Sequence, residues 1–198
     1  MRKEIIGNAT LYLGDCRDVL PTVRADCVVT DPPYPNSAGH FLGDIEAARR
    51  LIAAPPCEHV IAFWDELEEP VSVLPLVAKH AWFRTNTNRP DNYEAIYEWR
   101  KDGKRKASKV FPFAVIAVGL TGCTEATGHP TQKHTELMKR LVSMSEGVVL
   151  DPFMGSGTTG VACVNLGRSF VGIEVKQDYF DMACQRLENE QRQTRLIA

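Results

Sequence analysis

Two short stretches carry residue types that could do chemistry. The first, Asp31-Pro32-Pro33-Tyr34, ends the apolar run Val28-Val29-Thr30. Two successive prolines stop regular backbone pairing and remove two N–H donors, which leaves carbonyls free to accept hydrogen bonds. The turn also holds an acid and an aromatic ring in fixed relation; a rigid turn around a packed tyrosine would use the same residues. The second stretch is Asp151-Pro152-Phe153-Met154-Gly155-Ser156-Gly157-Thr158-Thr159-Gly160, directly after the run Gly147–Leu150. Glycines there let backbone approach a ligand closely, and a helix starting there presents unpaired N–H groups. Gly155, Gly157 and Gly160 spell G-x-G-x-x-G, and Glu174, at the tip of the next apolar run, could accept from both hydroxyls of a ribose. Any nucleoside-containing cofactor would suit this pattern, and so would packing alone. A Walker phosphate loop is excluded because no lysine follows the glycines. A nicotinamide dinucleotide site normally opens its domain, whereas only about 40 residues follow Gly160.

The elements that must position these stretches are short, apolar and rich in β-branched residues. Strands are predicted at Thr10–Gly14, Asp26–Thr30, His59–Trp64, Ala81–Thr85, Tyr93–Trp99, Gly147–Leu150 and Ser169–Ile173. Tyr93–Trp99 alternates in the manner of an antiparallel edge. Helices are predicted at about His40–Ala53, Leu67–Lys79, Gly157–Leu166 and Gln177–Gln191, with the last residues, 191–198, fraying. Apolar runs buried on both faces and alternating with helices predict an α/β, doubly wound, mostly parallel sheet. Several runs stop at a carboxylate, Asp15, Asp31, Asp151 and Glu174, on the edge where an open parallel sheet binds ligands. Helix N-capping would account for any one of them; four together point to a shared site.

Composition bounds the rest. The 198 residues fit one domain, and 44% hydrophobic with 24% charged residues is ordinary for a globular chain. No apolar run reaches membrane-spanning length and the N-terminus lacks a secretory pattern, so a cytoplasmic protein with no membrane association is expected. Cys16, Cys27, Cys57, Cys123, Cys163 and Cys184 form no C-x-x-C pair, which argues for reduced, packed thiols and no metal site. A formal charge of −2 does not advertise nucleic acid, but Arg100, Lys101, Lys104, Arg105, Lys106 and Lys109 lie within ten residues. That cluster is either a phosphate-binding stripe or a solvated loop.

The string D-P-F-x-G-S-G-T-T resembles the cofactor motif of S-adenosylmethionine-dependent DNA amino-methyltransferases, and D-P-P-Y resembles their catalytic motif. The catalytic tetrad precedes the cofactor motif by about 120 residues, an order that resembles the beta class of the N6-adenine/N4-cytosine family. Leu13-Gly14-Asp15-Cys16 looks like the family segment that contacts the cofactor adenine. His129-Pro130-Thr131-Gln132-Lys133 resembles the segment that holds the methionine end, although His134 stands where proline is usual. The resemblance covers most of 9–34 and 129–187. It implies a circularly permuted Rossmann-like methyltransferase fold with a seven-stranded sheet and one antiparallel edge strand.

It also implies S-adenosylmethionine as cofactor, held by Asp15, Cys16, Asp31, Thr131, Lys133, Asp151, Phe153, Gly155, Ser156, Gly157, Thr158 and Glu174. Asp31, Pro32, Pro33 and Tyr34 become the catalytic set. An exocyclic amine is a poor nucleophile because its lone pair is delocalised into the ring. Accepting its hydrogens at Asp31 and the Pro32 carbonyl favours a pyramidal nitrogen, and Tyr34 can stack on a base taken out of the duplex. Adenine N6 is the expected target because Asp31 opens the tetrad, where cytosine N4 enzymes of the family more often carry serine. DNA is the expected partner, in the manner of restriction-modification enzymes. Cytosine N4 methylation, a nicotinamide-dependent oxidoreductase and a DNA-binding protein that has lost catalysis are the alternatives. About 25 residues around 102–128 form a short insertion available for target recognition, which implies a short or relaxed target, or recognition shared across a homodimer.

Overall fold

The computed structural model describes residues 2–33, 45–64, 70–84, 93–113 and 132–197. Tyr34, Cys123, Thr131 and residues 114–128 of the expected insertion lie outside them. Among the described residues, nine strands form one sheet: β1 (Arg2–Ile6), β2 (Ala9–Leu13), β3 (Cys27–Thr30), β4 (His59–Trp64), β5 (Leu76–Arg84), β6 (Tyr93–Arg100), β7 (Val110–Phe113), β8 (Val149–Asp151) and β9 (Phe170–Glu174). Their order across the sheet is β1-β2-β9-β8-β3-β4-β6-β5-β7. Of the nine, β1 and β6 run against the rest. The helices are α1 (Cys16–Val19), α2 (Ile45–Ala53), α3 (Thr135–Val142), α4 (Thr158–Asn165) and α5 (Gln177–Ile197).

The central strands are apolar on both sides because helices cover both faces. All residues of β3, β4 and β8 are buried. On one face Val29, Ile61, Phe63 and Ile96 pack with Leu137, Leu141, Val161, Phe180 and Leu187 from α3, α4 and α5. On the other, Val28, Val60, Ala62 and Leu150 pack with Ala48, Leu51 and Ile52 of α2 and Val19 of α1. The doubly wound, mostly parallel reading therefore holds.

Five details differ from expectation. The sheet has nine strands rather than seven. β1 forms a hairpin with β2 around Gly7-Asn8, with Gly7 at φ +56°, and it supplies the antiparallel edge; the Gly-Asn pair was the available signal. β6 is antiparallel but interior, between β4 and β5, because β5 and the parallel β7 cover its outer side. The predicted helix from Leu67 to Lys79 is not formed: 70–75 is irregular and Leu76–Lys79 opens β5. Pro75 lacks the N–H a helix needs, and β-branched Val71, Val73 and Val77 favour extended backbone. Finally, α5 continues past Gln191 to Ile197, with Arg192 paired to Glu188 one turn back.

Candidate functional site

Four neighbouring strands, β2, β9, β8 and β3, each end at an acid on the same sheet edge: Asp15, Glu174, Asp151 and Asp31. At about 4.8 Å per strand the row spans roughly 14 Å, the size of a nucleoside with its substituents. The Pro-Pro turn and the glycine-rich turn leave adjacent strands, since Cys27 and Val28 of β3 pair with Val149 and Leu150 of β8.

The acids have different tasks. Asp15 is the N-cap of α1, accepting from the Arg17 backbone N–H at 2.8 Å and pairing with its guanidinium at 2.5 Å. Those Arg17 hydrogen bonds hold its carboxyl below the ordinary value. Glu174 accepts from the backbone N–H of Gly155 at 3.0 Å and of Lys176 at 2.8 Å, and burial raises its carboxyl. Each oxygen keeps a further lone-pair direction for a ligand hydroxyl. Asp151 ties the sheet to α4: Thr30 Oγ1 donates at 2.6 Å, Thr159 Oγ1 at 2.5 Å and the Phe153 N–H at 3.1 Å. Burial pushes it up to about 6 against those bonds.

Asp31 is built differently. Its Oδ2 meets Lys133 Nζ at 2.9 Å, while its Oδ1 is shielded from solvent with no hydrogen-bond partner among the described residues. An orphaned buried acceptor carries a desolvation cost of about 1–3 kcal/mol, so the site is prepared for a donor. Burial raises Asp31 to about 6, Lys133 opposing and Glu94 reinforcing the shift. Lys133 itself also reaches Glu94 Oε2 at 2.9 Å and lies 4.7 Å from the ring centre of Phe63 and 5.4 Å from that of Trp82. Arg84 in turn pairs with Glu94 at 2.5 Å. Glu94 and Arg84 were not foreseen; the only trace of Glu94 is an acid on the face of β6 that also carries buried Ile96.

The glycine-rich turn runs between β8 and α4. Gly155 and Gly157 have φ of +51° and +80°, in the left-handed region. At Gly157 and Gly160 packing also demands glycine: an added Cβ would meet Ala183 Cβ of α5 at 2.8 Å and Phe170 Cε1 of β9 at 2.8 Å, respectively. Ser156 and Thr158 are buried, and their hydroxyls face Arg186 of α5, each 3.1 Å from its guanidinium. Arg186 also donates to the Ser156 carbonyl at 2.7 Å, which clamps the turn from behind. Phe153 and Cys16 flank this edge, partly and fully buried respectively. His134 caps α3 by accepting from the Glu136 N–H at 3.2 Å, a task proline could not perform.

The basic cluster is not brought to this edge. β6 runs from Glu94 beside Asp31 to Arg100 opposite His59, at the start of β4 and so at the far end of the sheet. There Lys101 pairs with Glu58, Lys106 with Glu98 at 3.2 Å, and Arg100 with Asp102 at 3.6 Å. Lys104, Arg105 and Lys109 are exposed with no ion pair among the described residues. Glu98 is wholly buried between His59 and His80, at 3.0 and 3.1 Å, and this knot fastens Lys106 to the sheet. The described residues contain no cluster of metal-ligating side chains and no helix long and apolar enough to cross a membrane.

The DNA methylase family, of N6/N4 methyltransferase type, matches residues 76–185. The type II methyltransferase M2.DpnII of Streptococcus pneumoniae is 51% identical over 117 residues, covering 55% of this chain and 41% of that protein. M.ScaI of Streptomyces caespitosus is 39% identical over 102 residues, covering 46% and 34%. The chain thus spans well under half the length of these curated relatives. Among solved structures, the M1.HpyAVI–SAM complex superposes with TM-score 0.65 at 27% identity, covering 90% of this chain and 99% of that one. The cytosine-N4-specific PvuII DNA methyltransferase gives TM-score 0.65 at 15% identity, covering 95% and 93%, a likeness of fold. A match over more than half its length, joined to a shared fold, places this chain in the DNA methylase family of amino-methyltransferases.

Proposed function

We propose that the protein transfers a methyl group from S-adenosylmethionine to the N6 amine of adenine in DNA. The observation that carries this reading is the orphaned Asp31 Oδ1, buried at the sheet edge one strand away from the glycine-rich turn. The residues present fit the cofactor. Glu174 keeps acceptor capacity beyond its two backbone hydrogen bonds for the ribose hydroxyls, Asp15 and Cys16 follow β2 on the same edge as the candidates for the adenine, and Gly155 and Gly157 turn the backbone between Asp151 and α4. When bound, S-adenosylmethionine supplies an electrophilic methyl on a sulfonium.

The chain's own groups prepare the nucleophile. Asp31 Oδ1 and the Pro32 carbonyl accept the two amine hydrogens, which draws the nitrogen lone pair out of the ring and toward the methyl. Holding the reacting atoms in line is worth roughly 7–11 kcal/mol in well-oriented systems. Methylation leaves the nitrogen with four bonds, and the proton aimed at Asp31 has an acceptor on which to leave. Tyr34 stacks on the extruded base, contributing about 1–3 kcal/mol. Thr131 belongs to the methionine-end contacts. Lys104, Arg105 and Lys109 are the members of the basic cluster with charge to spare for phosphate, at a distance from the reacting base, and residues 102–128 form the target-recognition insertion.

Adenine is preferred over cytosine because the tetrad opens with Asp31. Labelled methyl transfer to unmodified DNA, followed by nucleoside digestion, is expected to yield N6-methyladenine; N4-methylcytosine as the sole product would overturn the base assignment.

The mechanism requires Asp31 as a carboxylate, and burial lifts its pKa to about 6. As pH falls through that value Asp31 gains a proton and Oδ1 loses its capacity to accept. Turnover is therefore expected to be flat above about pH 7 and to fall about tenfold per pH unit well below 6. A rate constant unchanged down to pH 4.5 would contradict the role.

A further inference from the structure

The buried charges behind Asp31 form a chain with a direction. Arg84, at the end of β5, pairs with Glu94 Oε1; Glu94 Oε2 meets Lys133 Nζ at 2.9 Å; the same Nζ meets Asp31 Oδ2 at 2.9 Å. The Lys133 side chain is only 7% exposed and its ammonium faces two aromatic rings, so its position is narrowly defined. An ammonium between two carboxylates is attracted from both sides, here through ion pairs at 2.9 Å, although Glu94 Oε2 takes no hydrogen bond from it. Loss of Glu94 removes the pull that opposes a shift of the ammonium across Asp31 toward both oxygens. With Glu94 in place, it engages Oδ2 alone, and Oδ1 stays open. The charges facing Asp31 among the described residues are Lys133 from the segment before α3, Glu94 from β6 and Asp151 from β8, with Arg84 of β5 behind Glu94.

Resting on the amino-methyltransferase reading, we propose that Glu94, braced by Arg84, is a positioning residue for the transfer: it holds the Lys133 ammonium to one oxygen of Asp31 and so keeps the other free for the target amine. Glu94 touches neither the base nor the cofactor. Its effect passes through Lys133, so it acts on kcat and on the ionisation of Asp31 rather than on cofactor affinity. Removing its negative charge takes away a group that raises the Asp31 pKa, and the Asp31 titration must then move to lower pH.

The test uses the whole chain and two variants, Glu94→Gln and Glu94→Asp, each read in two ways. In the first, carboxyl-carbon NMR follows Asp31 without DNA or cofactor, its signal identified by its loss in Asp31→Asn. Glu94→Gln is expected to lower the Asp31 midpoint by about half a pH unit or more. In the second, single-turnover methyl transfer at saturating cofactor is measured against pH. Glu94→Gln is expected to lose about 10- to 100-fold in kcat, with the acid limb displaced to lower pH and the S-adenosylmethionine Kd unchanged. Glu94→Asp keeps the charge but draws the carboxylate back from Lys133, so kcat falls several-fold while the limb stays at the wild-type pH. A Glu94→Gln protein with wild-type kcat and an unmoved Asp31 midpoint overturns the proposal. If Glu94→Gln does not fold, Glu94→Asp decides: wild-type kcat overturns it, and a lowered kcat with an unmoved limb supports it. Should the wild-type chain label no DNA base, the amino-methyltransferase reading falls, while the NMR titration still judges the charge network.

Discussion

Asp31→Ala is expected to reduce single-turnover methyl transfer about 10²- to 10³-fold, the usual consequence of deleting one preorganised hydrogen-bonding group from a reacting centre. S-adenosylmethionine binding should remain within about threefold of wild type, less than 1 kcal/mol. The variant should also fold. Lys133 loses one anionic partner but keeps Glu94 at 2.9 Å, so no buried ammonium is left unpaired, the situation that makes broken buried pairs costly. Calorimetric titration of the cofactor, run beside the transfer assay, separates the two effects. Undiminished turnover would remove Asp31 from the mechanism, and lost cofactor binding would make its contact with the cofactor the dominant role.

Gly157→Ala should have the largest effect on stability. Gly157 has φ +80°, and a Cβ there would lie 2.8 Å from Ala183 Cβ and 3.1 Å from the Ala183 backbone, neither of which can rotate away. A left-handed non-glycine residue costs about 1–2 kcal/mol. Forcing an atom into close-packed surroundings adds about 1–3 kcal/mol. A loss of about 2–4 kcal/mol lowers Tm by roughly 10 °C in a chain of this size. Displacing α5 also drags Arg186 from the turn it clamps, so cofactor affinity should weaken in parallel. Gly167→Ala is the control: φ is +64° but no atom lies within 4 Å of its added Cβ. It should show the backbone penalty alone, about 1–2 kcal/mol, with cofactor binding intact. Equal melting of the two variants would show that contact with α5 contributes nothing at Gly157.

The central sheet was legible in the sequence because it is buried on both faces. Runs such as Cys27–Thr30 and His59–Trp64 have no polar side to confuse their period, and acids at their ends mark where they stop. The periphery was harder. Leu67 to Lys79 reads as a helix only if Pro70 and Pro75 are ignored, and β7 is four residues whose pairing with β5 comes from sheet context. The row of acids was also visible, since each follows its own strand. What could not be read was their separate employment: Asp15 as a cap, Asp151 as a fastening between β3 and α4, Asp31 with one oxygen held and one open. The roles of Asp151 and Asp31 depend on partners such as Thr30 and Lys133, which are distant in sequence from the acids they engage.

The amino-acid order alone determined that this chain makes a doubly wound sheet with a Pro-Pro turn and a glycine-rich turn at strand ends, because burial period and turn chemistry are local properties. Only the tertiary structure decided that Lys133 sits between Asp31 and Glu94, that the glycines at 157 and 160 answer to α5 and β9 as much as to a ligand, and that Arg100–Lys106 lies at the end of the sheet away from Asp31. The physical reason is strand direction. Because β6 runs against its neighbours, its first acid arrives at the site and the cations that follow it are carried to the opposite edge.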